Sequence, residues 1–261
     1  VSDVQTQGPL DARPARLLWE LRFLGEVGAF FAAAGPGIAL APRGEPRTVL
    51  VLPGFLAADR STAALRIALR GLGHDVHGWG LGANVGPADH VVEGLRDQVA
   101  KLVRRSGGPI DVVGWSLGGV YARVLAANRP EQVRQVISLG SPIRMRHDQT
   151  GLSGTFKRFA NAFGFRETRQ IDVDRIPVPS TAVWTRTDGI VPGISCTQTP
   201  GPQAENVEVR STHVGLTHNP AVLWVVADRL AQPPGSWERF QPPAALRPMI
   251  PSVEGGEPCS S

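Results

Sequence analysis

The chain has 261 residues, of which 42% are hydrophobic and 19% charged, a balance that excludes a disordered polypeptide and suffices for one large core. Its formal net charge is +4 and its pI about 9.8, yet the arginines are scattered without any long basic run, which argues against a nucleic-acid partner. Two cysteines, Cys196 and Cys259, are too few for a disulfide framework and form no C-x-x-C pair.

Residues 1–13 read as a loose lead-in. Pro14 suits the first turn of a helix, and Leu17, Leu21, Leu24, Gly28 and Phe31 recur at helical spacing until Gly35-Pro36-Gly37. The apolar stretch from Arg16 to Ala34 carries Arg16, Glu20, Arg22 and Glu26, so it is expected to pack or to lie on a surface rather than span a bilayer. No leader with a charged start and an apolar middle opens the sequence. A cytoplasmic protein is expected, with secretion the alternative if a leader preceded Val1.

Thr48 to Leu52 is a continuous apolar run that reads as a strand buried on both faces, ended by Pro53-Gly54-Phe55. Leu65, Ala68, Leu69 and Leu72 line one face of the following helix, and His74 to His77 suit a second strand. Gly78 to Pro87 is a glycine-rich loop without the G-x-x-x-x-G-K-[ST] spacing of a phosphate loop. A helix is expected from about Ala88 to Arg105. Pro109 to Trp115 then reads as a strand that turns at Ser116 into a helix ending near Asn128, and Val133 to Leu139 as another strand. Residues 142–175 break this rhythm and are expected to form a cap. Ser180 to Thr185 and Asn206 to Arg210 read as late strands, and Ala221 to Leu230 as a closing helix. The Pro-, Gly- and Ser-rich residues 232–261 read as a tail over the surface. The alternation implies one α/β domain over 1–261, with a mostly parallel twisted sheet and helices on both faces.

Gly114-Trp115-Ser116-Leu117-Gly118 matches G-x-S-x-G between an apolar strand and an Ala-rich helix. A serine on so sharp a turn is held at a helix N-terminus, where developing negative charge is favoured. Ser116 is therefore the candidate nucleophile. On such an elbow the acid and then the base follow along the chain. Asp188 comes just after the Ser180–Thr185 strand and is placed to orient an imidazole, although Asp-Gly is also a common turn. His213 follows the next strand and is the candidate general base; His218, before Asn219-Pro220, is the rival. Acyl transfer also needs backbone N–H groups aimed at the oxyanion. Leu117 supplies one, and Phe55, with Leu56 as the alternative, supplies the other. No H-E-x-x-H or similar spacing points to a metal.

Within the cap, Leu152, Phe156, Phe159, Ala160 and Phe163 fall on one helical face near Lys157, Arg158 and Arg166. Such a stripe suits a lid over an acyl pocket, contact with a lipid surface, or plain packing on the core.

Strand-Pro53-Gly54-Phe55, Gly114-Trp115-Ser116-Leu117-Gly118-Gly119, Leu139-Gly140-Ser141-Pro142, Thr187-Asp188-Gly189 and Ser211-Thr212-His213-Val214-Gly215-Leu216 occur in this order. Over roughly residues 47–231 the chain resembles bacterial esterases and lipases of the α/β-hydrolase superfamily. Pro53 and Trp115 stand where many lipases have histidine. The Gly-Trp-Ser-Leu-Gly-Gly form also resembles carboxylesterases acting on methyl esters of carrier-bound acyl chains. The resemblance implies a Ser116–Asp188–His213 triad, no cofactor, and hydrolysis through an acyl-enzyme. The substrate is expected to be a small-molecule ester or lipid met in part at a membrane surface, with Trp115, Phe156, Phe159 and Phe163 lining its site. The alternatives are an acyltransferase or thioesterase using the same triad, and a catalytically silent hydrolase-fold binding module.

Overall fold

A computed structural model describes residues 39–144 and 173–255, together with Arg22, Gly25 and Gly28. Apart from those three positions, the helix expected over 14–31 lies outside the described residues, as do the cap residues Phe156, Phe159 and Phe163, and Cys259.

Among them the chain alternates strand and helix. The order is β1 (Thr48–Leu52), α1 (Ala63–Gly71), β2 (Asp75–Gly78), α2 (Asp89–Ser106), β3 (Ile110–Trp115) and α3 (Leu117–Asn128). Then come β4 (Val133–Leu139), β5 (Ser180–Trp184), β6 (Ala204–Glu208), α4 (Pro220–Ala231) and β7 (Ser252–Gly255). The strands form a seven-stranded sheet in the order β2-β1-β3-β4-β5-β6-β7, parallel except for β7.

Side chains alternate across a strand, and here both faces are apolar. Val49 and Val51 of β1 enter a core beneath α1 and α4, which contribute Leu65, Leu69, Val222 and Val226. Leu50 and Leu52 enter the opposite core, beneath Leu95 and Val99 of α2 and Val120 and Val124 of α3. A strand buried on both sides has no polar face to alternate, which is why β1 reads as a continuous apolar run, whereas β4 is buried likewise yet carries Gln135 and Ser138 inside.

Two expectations need correction. The strand placed at Asn206–Arg210 begins two residues earlier, at Ala204, because the ladder with β5 includes Glu205. Val209 and Arg210 still extend it, donating to Trp184 O at 2.8 Å and Met249 O at 2.8 Å. The segment after residue 232 is not only a surface tail. Phe240 and Ile250 are buried in the core, and Ser252–Gly255 pairs antiparallel with β6. Pairing satisfies backbone groups that β6 would otherwise leave open at the sheet edge.

A buried ion pair fastens this segment. Glu205 accepts from Arg229 Nη1 at 3.0 Å, Thr181 Oγ1 at 2.9 Å and the Phe240 N–H at 2.8 Å. Burial pushes the Glu205 carboxyl up, and the Arg229 guanidinium opposes that. Arg229→Met should therefore cost about 3–5 kcal/mol, since it strands a buried carboxylate without its cation. Urea unfolding would measure this. A loss below about 1 kcal/mol would mean that the hydroxyl and amide donors satisfy Glu205 unaided.

The loops leaving the C-terminal ends of β1, β3, β5 and β6 carry Phe55, Ser116, Asp188 and His213 respectively. All four therefore arise along one edge of the parallel sheet, the edge where open α/β sheets bind ligands.

Candidate active site

Ser116 links β3 to α3 with φ 54° and ψ −122°, a left-handed region that non-glycine residues rarely adopt. Its N–H donates to Leu139 O at 2.8 Å, and its C=O accepts the Gly119 N–H at 3.0 Å. The neighbouring glycines make the turn feasible. A Cβ on Gly114 would strike the Gly118 and Gly119 backbone. One on Gly118 would strike Leu52 and Pro53, and one on Gly119 the Ser141 side chain. The elbow thus needs glycine because strand, helix and the end of β1 pass at backbone contact.

Asp188 is buried. Its Oδ1 accepts the N–H groups of Ile190 at 2.8 Å and Val191 at 2.6 Å, and its Oδ2 lies 2.6 Å from His213 Nδ1. The residue makes the turn and faces the imidazole at once. Of the two candidate bases, His213 is the one against Asp188; His218 Nδ1 is bonded to Thr217 Oγ1 at 2.9 Å. Asn219 caps α4 beside it, accepting from the N–H groups of Ala221 and Val222.

The histidine loop reaches the nucleophile through Trp115. The Trp115 indole N–H donates to His213 O at 3.0 Å, and the two rings lie 5.7 Å apart. Trp115, expected to line the substrate site, is buried with its N–H engaged, so in this structure it holds the base loop beside Ser116. Gly140, at φ 57°, passes close beneath. A Cβ there would stand 3.2 Å from His213 Nδ1, so the glycine of Gly140-Ser141-Pro142 leaves room for the imidazole.

At the end of β1, Gly54 brings its loop against the elbow; a Cβ on it would lie 3.1 Å from Ser116 Cβ. The Leu56 N–H is already engaged, donating to Asn84 O at 2.7 Å. Between the two early-loop candidates for an oxyanion donor, this leaves Phe55. Leu117 opens α3 immediately after Ser116, at the positive end of the helix dipole.

Sequence reasoning passed over the bond between the acid and base loops. Thr185 Oγ1 and Thr187 Oγ1 both donate to Ser211 O, at 2.9 and 2.7 Å. Two threonines flanking the strand end before Asp188 were the available signal. Cys196 is no rival nucleophile, because burial and then the Asp188 carboxylate push its thiol well above its ordinary range. Among the described residues no cluster of side chains could hold a metal ion, and no helix is long and apolar enough to cross a membrane.

No family model and no curated protein matches the chain. Solved structures do. Lipase B of Aspergillus fumigatus matches 73% of this chain with a TM-score of 0.56 and 16% identity, and the chain spans about half of that lipase's length, 54%. The pyrethroid hydrolase PytH matches 71% of this chain and 97% of its own, with a TM-score of 0.50 and 16% identity. A structure from the metagenome-derived lipolytic pair LipS and LipT matches 73% of this chain and 94% of its own, with a TM-score of 0.50 and 14% identity. At such identities the likeness is one of fold.

Proposed function

The chain has the α/β-hydrolase fold, and from that premise we propose that it is a serine hydrolase of carboxylic esters with apolar acyl groups. The observation that carries the reading is the 2.6 Å contact of Asp188 with His213, on a loop bonded to Trp115, the residue before Ser116. Ser116 Oγ attacks the ester carbonyl while His213 Nε2 takes its proton. Asp188 holds the Nδ1 tautomer and stabilises the imidazolium. The Phe55 and Leu117 N–H groups receive the negative charge on the carbonyl oxygen. The alcohol departs with the proton from His213, leaving an acyl ester on Ser116. Water, deprotonated by His213, then releases the acid by the same steps in reverse.

The apolar preference is supported by the rim. Phe55, Leu56, Val85 and Ile190 are exposed on the loops around Ser116, where an acyl chain would approach. Burying one methylene is worth about 0.8 kcal/mol, roughly a fourfold gain in kcat/KM. A panel of p-nitrophenyl esters from acetate to palmitate should therefore show butyrate, two methylenes longer, exceeding acetate by about fifteenfold. A flat series would reject the apolar acyl site. No turnover of any ester would reject ester hydrolysis.

A further inference from the structure

The glycine-rich loop after β2 takes no part in the chemistry above, yet it holds a fully buried asparagine, Asn84. The Asn84 N–H donates to Ala57 O at 2.8 Å, and its C=O accepts the Leu56 N–H at 2.7 Å. Its Nδ2 donates to Pro53 O at 2.9 Å. Its Oδ1 accepts from the Gly86 N–H at 3.2 Å and from Tyr121 O–H at 3.1 Å. Pro53 O can only accept and the Gly86 N–H can only donate, so the amide has one orientation. Asn84 therefore grips the chain on both sides of Phe55, at 53 and at 56–57. Through Tyr121 it is also tied to α3, the helix that Leu117 opens.

The asparagine is itself firmly seated. The Asp59 carboxylate accepts the N–H groups of Trp79 at 2.9 Å and Gly80 at 3.1 Å. The buried Trp79 indole N–H donates to Gly82 O at 2.8 Å. The loop is thus a fixed post, and Asn84 is its contact with both parts of the site.

We propose that Asn84, bridging the Pro53–Ala57 loop to Tyr121 of α3, is the positioning residue of the oxyanion hole, setting the Phe55 N–H against the Leu117 N–H. The proposal rests on the serine-hydrolase reading. The two donors come from different elements, and an oxyanion donor displaced by a fraction of an ångström loses much of its worth. Both acylation and deacylation pass through an oxyanion, so kcat registers the loss whichever step limits. The Ser116–His213 proton transfer does not depend on Asn84.

Asn84→Asp keeps the shape and removes the donor to Pro53 O. Tyr121→Phe keeps the ring and removes only the O–H, so it serves if the aspartate variant does not fold. Rates on p-nitrophenyl butyrate would be normalised to the sites that a fluorophosphonate probe titrates. We expect kcat to fall about 10- to 100-fold in Asn84→Asp and about 3- to 10-fold in Tyr121→Phe. KM should stay within about twofold, and the acidic limb of the pH profile in place. An unchanged kcat, a change carried by KM alone, or a displaced acidic limb would overturn the positioning role with the hydrolase reading intact. A wild-type chain that neither turns over the ester nor takes the probe would overturn the hydrolase reading, and this proposal with it.

Discussion

Ser116→Ala should reduce ester turnover by about 10⁴-fold or more while leaving the fold unchanged. Alanine retains the Cβ, and the turn is held by backbone bonds from Ser116 to Leu139 and Gly119 rather than by the hydroxyl. The unfolding free energy from a urea titration should accordingly stay within about 0.5 kcal/mol of wild type. Some rate over bulk water should survive, because the Phe55 and Leu117 donors remain. Turnover close to wild type in a folded Ser116→Ala protein would mean that the ester is cleaved by some other group.

The base provides the second large effect. His213→Ala should lower kcat by about 10⁴-fold or more, whereas His218→Ala should change it by no more than about threefold. The contrast follows from partners: Asp188 faces His213, while His218 is bonded to Thr217. Removing the imidazole also frees Asp188 Oδ2 in a buried site, at a stability cost of about 1–3 kcal/mol. Asp188 Oδ1 retains the Ile190 and Val191 N–H groups, which should hold the acid loop in place. Steady-state kinetics beside a urea titration separates the two effects. Comparable losses in both histidine variants would assign the base role to neither residue alone.

What could be read in advance was what is local in sequence. β1 and β4 stand at Thr48–Leu52 and Val133–Leu139 as expected: both are short, rich in Val, Ile and Leu, and closed by Pro53 or Gly140, too short for a helix. The elbow was legible because its requirement for glycine is met within six consecutive residues. β6 was misplaced because a strand beginning Ala204-Glu205 looks like a loop until Arg229 is seen to neutralise the carboxylate inside the core. β7 was invisible because Ser252–Gly255 has no strand character apart from the partner it pairs with. The order of the candidate residues could be inferred, yet the Thr185 and Thr187 bonds to Ser211 join residues about 25 apart. Those of Asn84 to Pro53 and Tyr121 span 31 and 37. No spacing rule reaches that far.

The edge strand has a consequence for how the molecule is made. Ser116, Asp188 and His213 all leave the ribosome before Ser252–Gly255. Until that segment emerges, β6 shows its outer row of N–H and C=O groups. The open edge adjoins the strand that leads into the base loop. A nascent chain in that interval holds Ser116, Asp188 and His213 yet has the side of its sheet unprotected, ready to pair with a second nascent copy. Closure of the β6 side of the sheet therefore comes after all three candidate residues have been made.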